Sequence, residues 1–188
     1  MQNVIDYVEI PTIGNALDFG DLTNQKNWLG SFSSPTKGFW AGGTTPSFIA
    51  AIDVVTIASK GNAVDFGDMT RSSQVTSCVS NHTRGIMAGG QNSSPGDTPS
   101  INYITMATQG NATEFGNLTK LRRAMGGMCT LTRGIFSSGQ TSGPGPTYPN
   151  IIDYITIAST GDAQDFGDSS NVGFAAGVSD SHGGLGGF

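Results

Sequence analysis

The sequence has little cysteine, little charge and no long apolar run. It contains two cysteines in 188 residues, and charged residues make up 12% of it. Two thiols do not build a disulfide framework, so we expect Cys78 and Cys129 to be buried thiols. No stretch approaches the roughly 18 apolar residues of a membrane span, and the N-terminus lacks the regions of a signal peptide, so we expect neither feature.

Basic residues are also scarce. The net charge is −5, and the one basic cluster consists of Lys120, Arg122 and Arg123. We interpret that cluster as a solvated turn, because runs of charged residues most often lie on the solvent-exposed surface. A protein that binds nucleic acid needs clustered Lys and Arg opposite the phosphates, so the composition argues against such a partner.

The sequence is instead rich in glycine, with 28 residues, and it repeats one phrase four times. The second copy of the phrase is TIASKGNAVDFGDMT, residues 56–70. Its phenylalanine recurs at Phe19, Phe66, Phe115 and Phe166. A second phrase, IDY or a close variant, begins at Ile5, Ile52, Ile101 and Ile152. A repeat of about 50 residues with several short strands indicates an all-β propeller.

Each repeat reads as four antiparallel strands. One unit shows them as QVTSCVS, RGIMAGG, INYITMA and ATEFGNL, which are rich in β-branched and aromatic residues. Between the third and fourth strands every copy has Gly followed by Asn or Asp, at Gly14-Asn15, Gly61-Asn62, Gly110-Asn111 and Gly161-Asp162. Such pairs are typical of two-residue hairpin loops, which need positive φ, so we predict that loop here.

The repeats are out of phase with the chain. The N-terminus supplies a third and a fourth strand, and the C-terminus supplies a first and a second strand. We therefore predict a single domain, residues 1–188, with four blades at about 25–70, 71–119, 120–169, and 170–188 joined to 1–24. Pairing the two half-blades would close the ring and remove exposed strand edges. The alternative is an eight-bladed ring made by two chains that exchange half-blades.

The unit resembles the kelch repeat. The resemblance lies in the glycine doublets Gly42-Gly43 and Gly89-Gly90, in the third-strand aromatics, and in a bulky fourth-strand aromatic. The fourth-strand residue is usually Trp in kelch repeats and is Phe in every copy here, so the chain resembles a divergent, kelch-like branch. The sequence segments DYITIA, DFGD and TRGI are similar to repeats in structural and tail-associated proteins of tailed bacteriophages, notably phages that infect marine cyanobacteria. This resemblance implies a virion protein that binds a host surface or another virion protein.

The acidic residues around each repeated Phe are the first candidates for chemistry. Four sets in a ring could hold Ca²⁺, but we interpret the acids as hydrogen-bonding their own turns. His82 and His182 lack the supporting ligands of a zinc site, so we expect no metal and no cofactor. No nucleophile elbow is present, and we predict that the chain is not an enzyme. The alternative is a glycan-active hydrolase in which Asp65 and Asp68 do acid–base work.

The loops that follow the glycine doublets differ in length and sequence, and such loops usually carry recognition. We predict that they bind a host-surface glycan or another virion protein. The candidate ligand-binding residues are Trp28, Phe48, Arg84, Arg133 and Tyr148. Each arginine has a structural alternative, which is to pair with an acid of the neighbouring blade or to cover a sheet edge. We expect a monomer or a homodimer, with a fragment of a longer architectural protein as a further alternative.

Overall fold

The chain is described by a computed structural model that covers residues 2–93, 96–142, 145 and 147–179. Within these residues the fold is all-β. The strands are β1 Gln2–Tyr7, β2 Leu17–Lys26, β3 Gly30–Ser33, β4 Lys37–Ala41, β5 Thr44–Thr45, β6 Ser47–Phe48, β7 Ala51–Thr56, β8 Val64–Asp68, β9 Ser77–Ser80, β10 Arg84–Ala88, β11 Ser100–Thr105, β12 Thr113–Asn117, β13 Gly126–Cys129, β14 Arg133–Ser137, β15 Ile151–Thr156 and β16 Gln164–Asp168. No helix in the described part of the chain has the length and apolar character that crossing a membrane requires.

Twelve of these strands form three antiparallel sheets of the same order. Their orders are β3-β4-β7-β8, β9-β10-β11-β12 and β13-β14-β15-β16, and each pair of neighbours is antiparallel. β1 and β2 form a two-stranded sheet of their own, and β5 pairs with β6. The predicted all-β fold with four-stranded antiparallel units is confirmed, and the arrangement is propeller-like.

The middle sheet, β9-β10-β11-β12, packs against its neighbours through both faces. β10 shows the result, because every residue after Arg84 is buried although alternate residues of a strand point to opposite faces. Within a unit, the third-strand Tyr meets the fourth-strand Phe edge to face, with ring centres 6.0 Å apart for Tyr103 and Phe115. The tyrosine and phenylalanine of the repeated phrases thus hold together the outer two strands of one sheet.

The repeated Gly-Asn pair has a different role from the one predicted. β7 ends at Thr56 and β8 begins at Val64, so the connection is longer than two residues and the prediction of a two-residue hairpin loop is wrong. The turn instead docks onto the preceding sheet. Gly110 donates its N–H to the carbonyl oxygen of Phe66 at 2.9 Å, and the Asn111 side chain accepts from the N–H of Asp68 at 3.0 Å.

The glycine after the repeated Phe makes this docking feasible. Gly67 has φ +144°, and a Cβ placed on it would lie 2.4 Å from the carbonyl oxygen of Gly110. Only glycine allows two backbones to approach so closely in this conformation. The same contact joins Gly20 to Gly61 and Gly116 to Gly161. The phrase recurs because it contains both halves of an inter-sheet joint.

Buried polar groups form a second joint between sheets. Thr119 donates its N–H and hydroxyl to Asp153 at 3.1 and 2.6 Å, and Arg122 lies 3.2 Å from the same carboxylate, with both charged side chains fully buried. Burial lowers the pKa of the Arg122 guanidinium, and the charge of Asp153 opposes that effect. The interpretation of the basic cluster as a solvated turn is therefore wrong for Arg122, and also for Arg123, which pairs with Asp97.

The equivalent joints in the other units differ in charge. Lys26 lies 3.0 Å from Asp53, again with both side chains fully buried. In the next unit Ser73 and Asn102 occupy these places, and Thr70 donates to the Asn102 oxygen. The cation is therefore present where the acceptor is Asp and absent where it is Asn, as expected if a buried carboxylate needs a partner.

The two ends of the chain lie against different sheets. The hairpin β1-β2 docks against the sheet β3-β4-β7-β8, where Gly61 donates its N–H to Phe19 at 2.8 Å. Residues 172–179 follow β13 without forming a strand, and Gly139 donates to the carbonyl oxygen of Val172 at 3.1 Å. The remainder of the predicted C-terminal half-blade, with His182, lies outside the described residues. Cys78 and Cys129 carry thiols rather than a disulfide; Cys129 is buried as predicted, whereas Cys78 is only partly buried.

Candidate ligand-binding site

The glycine doublets turn the chain out of each second strand into a variable loop. Gly42 and Gly43 have φ of +66° and +106°, and Gly89 and Gly90 have nearly the same values. The residue that follows each doublet pairs with the linker that enters the same sheet, as Thr44 does with Asn27. The loops that follow the doublets, described at residues 44–50, 91–93, 96–99, 140–142, 145 and 147–150, therefore leave the sheets at the same end.

Residues of three successive loops line one pocket at this end. Its volume is about 400 Å³, and it is lined by Pro46, Ser47, Phe48, Gln91, Asn92, Ser93, Gly96 and Ser142. Phe48 supplies an apolar wall, and most of the other lining groups are polar. This composition suits a ligand that presents an apolar face and several hydroxyl groups.

One lining residue has a buried acceptor that is not used. Asn92 is 7% exposed, and its Oδ1 has no hydrogen-bond partner among the described residues. Its backbone N–H donates to the carbonyl oxygen of Gly96 at 2.7 Å, which fixes the residue within its loop. A buried acceptor without a donor costs about 1–3 kcal/mol, so a ligand hydroxyl that reaches it would recover that cost.

A charged network holds two of the loops in place. The buried carboxylate of Asp97 accepts from Arg123 at 2.7 Å and from the Ser142 hydroxyl at 2.8 Å. The backbone N–H of Ser142 donates to the other oxygen of Asp97. Gln140, with its amide oxygen turned toward Arg123, accepts from the guanidinium at 3.0 and 3.1 Å. The loop that carries Asn92 is thus tied to the loop of the next sheet, and the pocket is organised before a ligand arrives.

The predicted aromatic residues lie at this end of the molecule. Phe48 lines the pocket. Trp28 is exposed and follows Asn27, which pairs with Thr44 at the start of the first loop. Tyr148 is exposed in the third loop and packs beside Gly173. Neither Trp28 nor Tyr148 reaches the pocket lining.

The structure does not bring the predicted arginines to the same place. Arg84 and Arg133 begin β10 and β14, at the opposite end from the glycine doublets. The Arg84 guanidinium lies 4.6 Å from the ring centre of Tyr103 and donates to the carbonyl oxygen of Ile157 at 2.9 Å. It reaches the neighbouring sheet as predicted for a structural role, although it binds a carbonyl rather than an acid. Arg133 stacks in the same way on Tyr154.

The acidic residues of the repeated phrase take part in backbone contacts. Asp65 accepts from the N–H of Gly67 at 3.3 Å, and Asp165 accepts from Gly167 at 3.0 Å. Both bonds lie within the fourth strands β8 and β16, so these acids hold the backbone of a strand and not a turn as predicted. Among residues 2–93, 96–142, 145 and 147–179, no three His, Cys, Asp or Glu side chains gather as a metal site would require.

Sequence reasoning missed Asn92, Asp97, Arg123 and Ser142. Asn92 is an ordinary polar residue of a loop, and no pattern distinguishes it from its neighbours. Arg123 was grouped with the basic cluster, yet it stands where the other units have Gln74 and Asn27, whose backbones pair with their own loops. The shared repeat position of Arg123, Gln74 and Asn27 was therefore the sequence signal that Arg123 contacts the loop of its own sheet. The chain matches no family model and no curated protein.

Proposed function

We propose that this chain is a non-catalytic binding module that takes a glycan into the pocket formed by loops 44–50, 91–99 and 140–142. The observation that carries the proposal is the combination of Phe48 with the buried, unused acceptor of Asn92 in one pocket of about 400 Å³. Sugars offer an apolar ring face beside hydroxyl donors, so they match an aromatic wall and a nearby amide oxygen. The Asp97 network supports the proposal because it fixes two of the loops in advance.

The finer architecture and the setting belong to the same proposal. The three full sheets are successive blades of a kelch-like ring, which is completed by a blade that combines a β1-β2 hairpin with the segment beginning at residue 172. The ring has four blades if both halves come from one chain and eight if two chains exchange them. The resemblance of the repeats to phage tail proteins supports a place on a virion, where several copies would gain avidity for a host surface.

A binding experiment with matched variants tests the glycan site. The wild-type protein is screened on an array that includes cyanobacterial envelope polysaccharides, and the best ligand is then titrated by calorimetry. We expect Phe48→Ala and Asn92→Leu each to weaken binding about tenfold or more, since each removes an anchor worth about 1.4 kcal/mol or more. Leu131→Ala is the control, because Leu131 is exposed in the β13-β14 loop at the other end of the sheets.

Two results would overturn the glycan site. One is the absence of any bound glycan on the array, and the other is an affinity that Phe48→Ala and Asn92→Leu leave equal to that of Leu131→Ala. Assay of the same glycans for cleavage separates binding from turnover. The double variant Asp65→Asn with Asp68→Asn should leave binding intact, because both residues lie outside the pocket lining.

A further inference from the structure

The last sheet exposes a docking edge that the other sheets bury. Phe166 is 51% exposed, whereas the equivalent Phe66 and Phe115 are 2% and 4% exposed because the turn of the next sheet covers them. A Cβ placed on Gly167 meets no atom within 4 Å, whereas one on Gly116 would lie 2.2 Å from the Gly161 oxygen. The strand β16 therefore carries the half-joint of the repeated phrase without a turn against it among the described residues.

A socket lies on the same sheet. We call it the C-terminal socket: a cavity of about 550 Å³ lined by Met128, Cys129, Thr130, Thr132, Arg133, Ile135, Val178 and Ser179. In the preceding sheet, the residues equivalent to Met128 and Ile135 are Val79 and Ile86, which share a buried core with Ile157 of the next sheet. One sheet earlier they are Phe32 and Phe39, which share a core with Met106. The C-terminal socket is thus shaped for the apolar residue that follows a third strand.

The residue at that position in the first unit is Ile10. It is 93% exposed, whereas Met106 and Ile157 are 2% and 0% exposed. Ile10 is followed by Gly14 and Asn15, which are the turn half of the joint that β16 lacks. Among the described residues, no hydrogen bond joins residues 2–24 to β13, β14, β15 or β16.

We infer that the C-terminal socket binds the β1-β2 hairpin of a second copy of this chain, with Ile10 in the socket and Gly14-Asn15 against Phe166 and Gly167. Arg133 then donates to the Ile10 carbonyl oxygen, as Arg84 does to that of Ile157. This inference rests on the proposed ring and selects its two-chain form. A second copy satisfies both surfaces while each hairpin keeps its present contact with its own sheet β3-β4-β7-β8. Reciprocal exchange gives a closed dimer with two-fold symmetry.

One position departs from the other joints and supplies a sensitive test. Ser170 stands where Thr23 and Thr119 donate to Asp53 and Asp153, so its hydroxyl can donate to Asp6 of the second copy. Val172 stands where Lys26 and Arg122 supply the cation, because its carbonyl oxygen accepts from Gly139 as that of Arg122 accepts from Gly90. Val172→Lys should therefore give Asp6 its missing partner. Because a hydrogen bond to a charged group adds to binding, we expect the dissociation constant of the dimer to fall about tenfold or more.

The first experiment measures mass by light scattering at concentrations from about 1 to 100 μM, a range typical of weak complexes. We expect the full chain to form a species of twice its 19.4 kDa mass. Ile10→Asp should weaken the dimer about 100-fold or more, because a carboxylate would enter an apolar socket. Ile13→Asp is the matched comparison and should weaken the dimer far less, since the equivalent Lys60 and Gln109 are exposed and reach the preceding sheet only through their polar ends. Both isoleucines are exposed in the free chain, so circular dichroism should show both variants folded.

The second experiment identifies which chain supplies the hairpin. Asn62 accepts from the N–H of Asp21 at 3.0 Å, so cysteines at the equivalent positions 15 and 168 would lie close enough to oxidise. Chains with Asn15→Cys and chains with Asp168→Cys are mixed and oxidised, and we expect a covalent dimer in the mixture. A double variant that crosslinks within one chain, or a wild type that stays monomeric throughout, overturns the inference.

Failure of the proposed dimer can be told apart from failure of the proposed glycan site. Ile10→Asp leaves the loop pocket untouched, so its glycan affinity per chain should equal that of the wild type. When Asp6→Asn is added to Val172→Lys, the dissociation constant of the dimer should return toward the wild-type value, because a neutral acceptor needs no cation. The chain already shows such a neutral joint, in which Asn102 is matched with Ser73. An unchanged dissociation constant for Val172→Lys would also contradict the inference.

Discussion

The buried pair Lys26–Asp53 offers a test of how the sheets are joined, because the chain contains a neutral version of the same joint. The Lys26 ammonium lies 3.0 Å from the carboxylate, and neither side chain is exposed. Asp53 also accepts from the N–H and hydroxyl of Thr23 at 3.2 and 2.7 Å. Replacing Lys26 with Ser leaves a buried carboxylate that keeps those two hydrogen bonds and loses its counter-charge.

We expect Lys26→Ser to lower the free energy of unfolding by about 3–5 kcal/mol, the usual cost of breaking a buried pair. The value should fall toward the lower end, because Lys26 Nζ makes no well-aligned hydrogen bond in the pair. Adding Asp53→Asn and Ala51→Ser copies the neutral joint, in which Asn102 accepts from Thr70 and donates to Ser100 at 3.1 Å. The triple variant should regain most of the loss.

Urea denaturation followed by circular dichroism gives the three free energies at one pH and salt concentration. The control is Ser73→Ala in the neutral joint, where no buried charge is uncovered and the loss should stay near about 1 kcal/mol. The reasoning is refuted if Lys26→Ser costs less than about 1 kcal/mol, or if the triple variant is no more stable than Lys26→Ser.

Two further predictions concern the glycine joint and the Cys78 thiol. Gly116→Ala should lower the free energy of unfolding by about 2–4 kcal/mol, because its Cβ would lie 2.2 Å from the Gly161 oxygen. Gly167→Ala should lower that of the monomer by about 1 kcal/mol, for its φ alone. Thermal or urea unfolding measures both, and equal losses would contradict this reasoning. Burial raises the pKa of the Cys78 thiol to about 12 from 9.0. Above pH 9 the thiol therefore keeps its proton in the folded state and loses it in the unfolded state. The stability that the protonated thiol contributes is fully present below pH 9 and falls as pH rises toward 12. Urea unfolding at pH 8 and pH 10 should show a smaller decline for Cys78→Ala than for the wild type by up to about 1.4 kcal/mol; identical declines would contradict the burial.

The sequence predicted the repeat and its strands because their signals are local. Runs such as RGIMA and INYIT carry β-branched and aromatic residues, and they form β10 and β11. The Gly-Asn pair was recognised as a turn signal, but its contact with Gly67 joins residues more than forty positions apart. No local pattern reports such a contact, so a correct signal led to a wrong loop type.

The site was predictable only in its location. Variable loops after the glycine doublets indicated where recognition would lie, and Phe48 lines the pocket there. The arginines were attractive as charged residues at repeated positions, yet their spacing along β10 and β14 places them at the other end of the sheets. Burial of Asn92 and Asp97 depends on contacts between loops of different repeats, which only the folded chain establishes.

The joint between Gly67 and Gly110 is built almost entirely from main-chain atoms, and it lies away from the doublet loops. Substitutions or changes of length within those loops, where they keep Asp97 and its partner Arg123, therefore leave the assembly of the scaffold unaffected. Selection can rewrite the recognition surface while the framework stays constant, much as hypervariable segments diversify on an antibody. A library randomised in residues 45–48, 92–96 and 143–148, with Asp97 and Gln140 kept, should consequently yield mostly folded proteins.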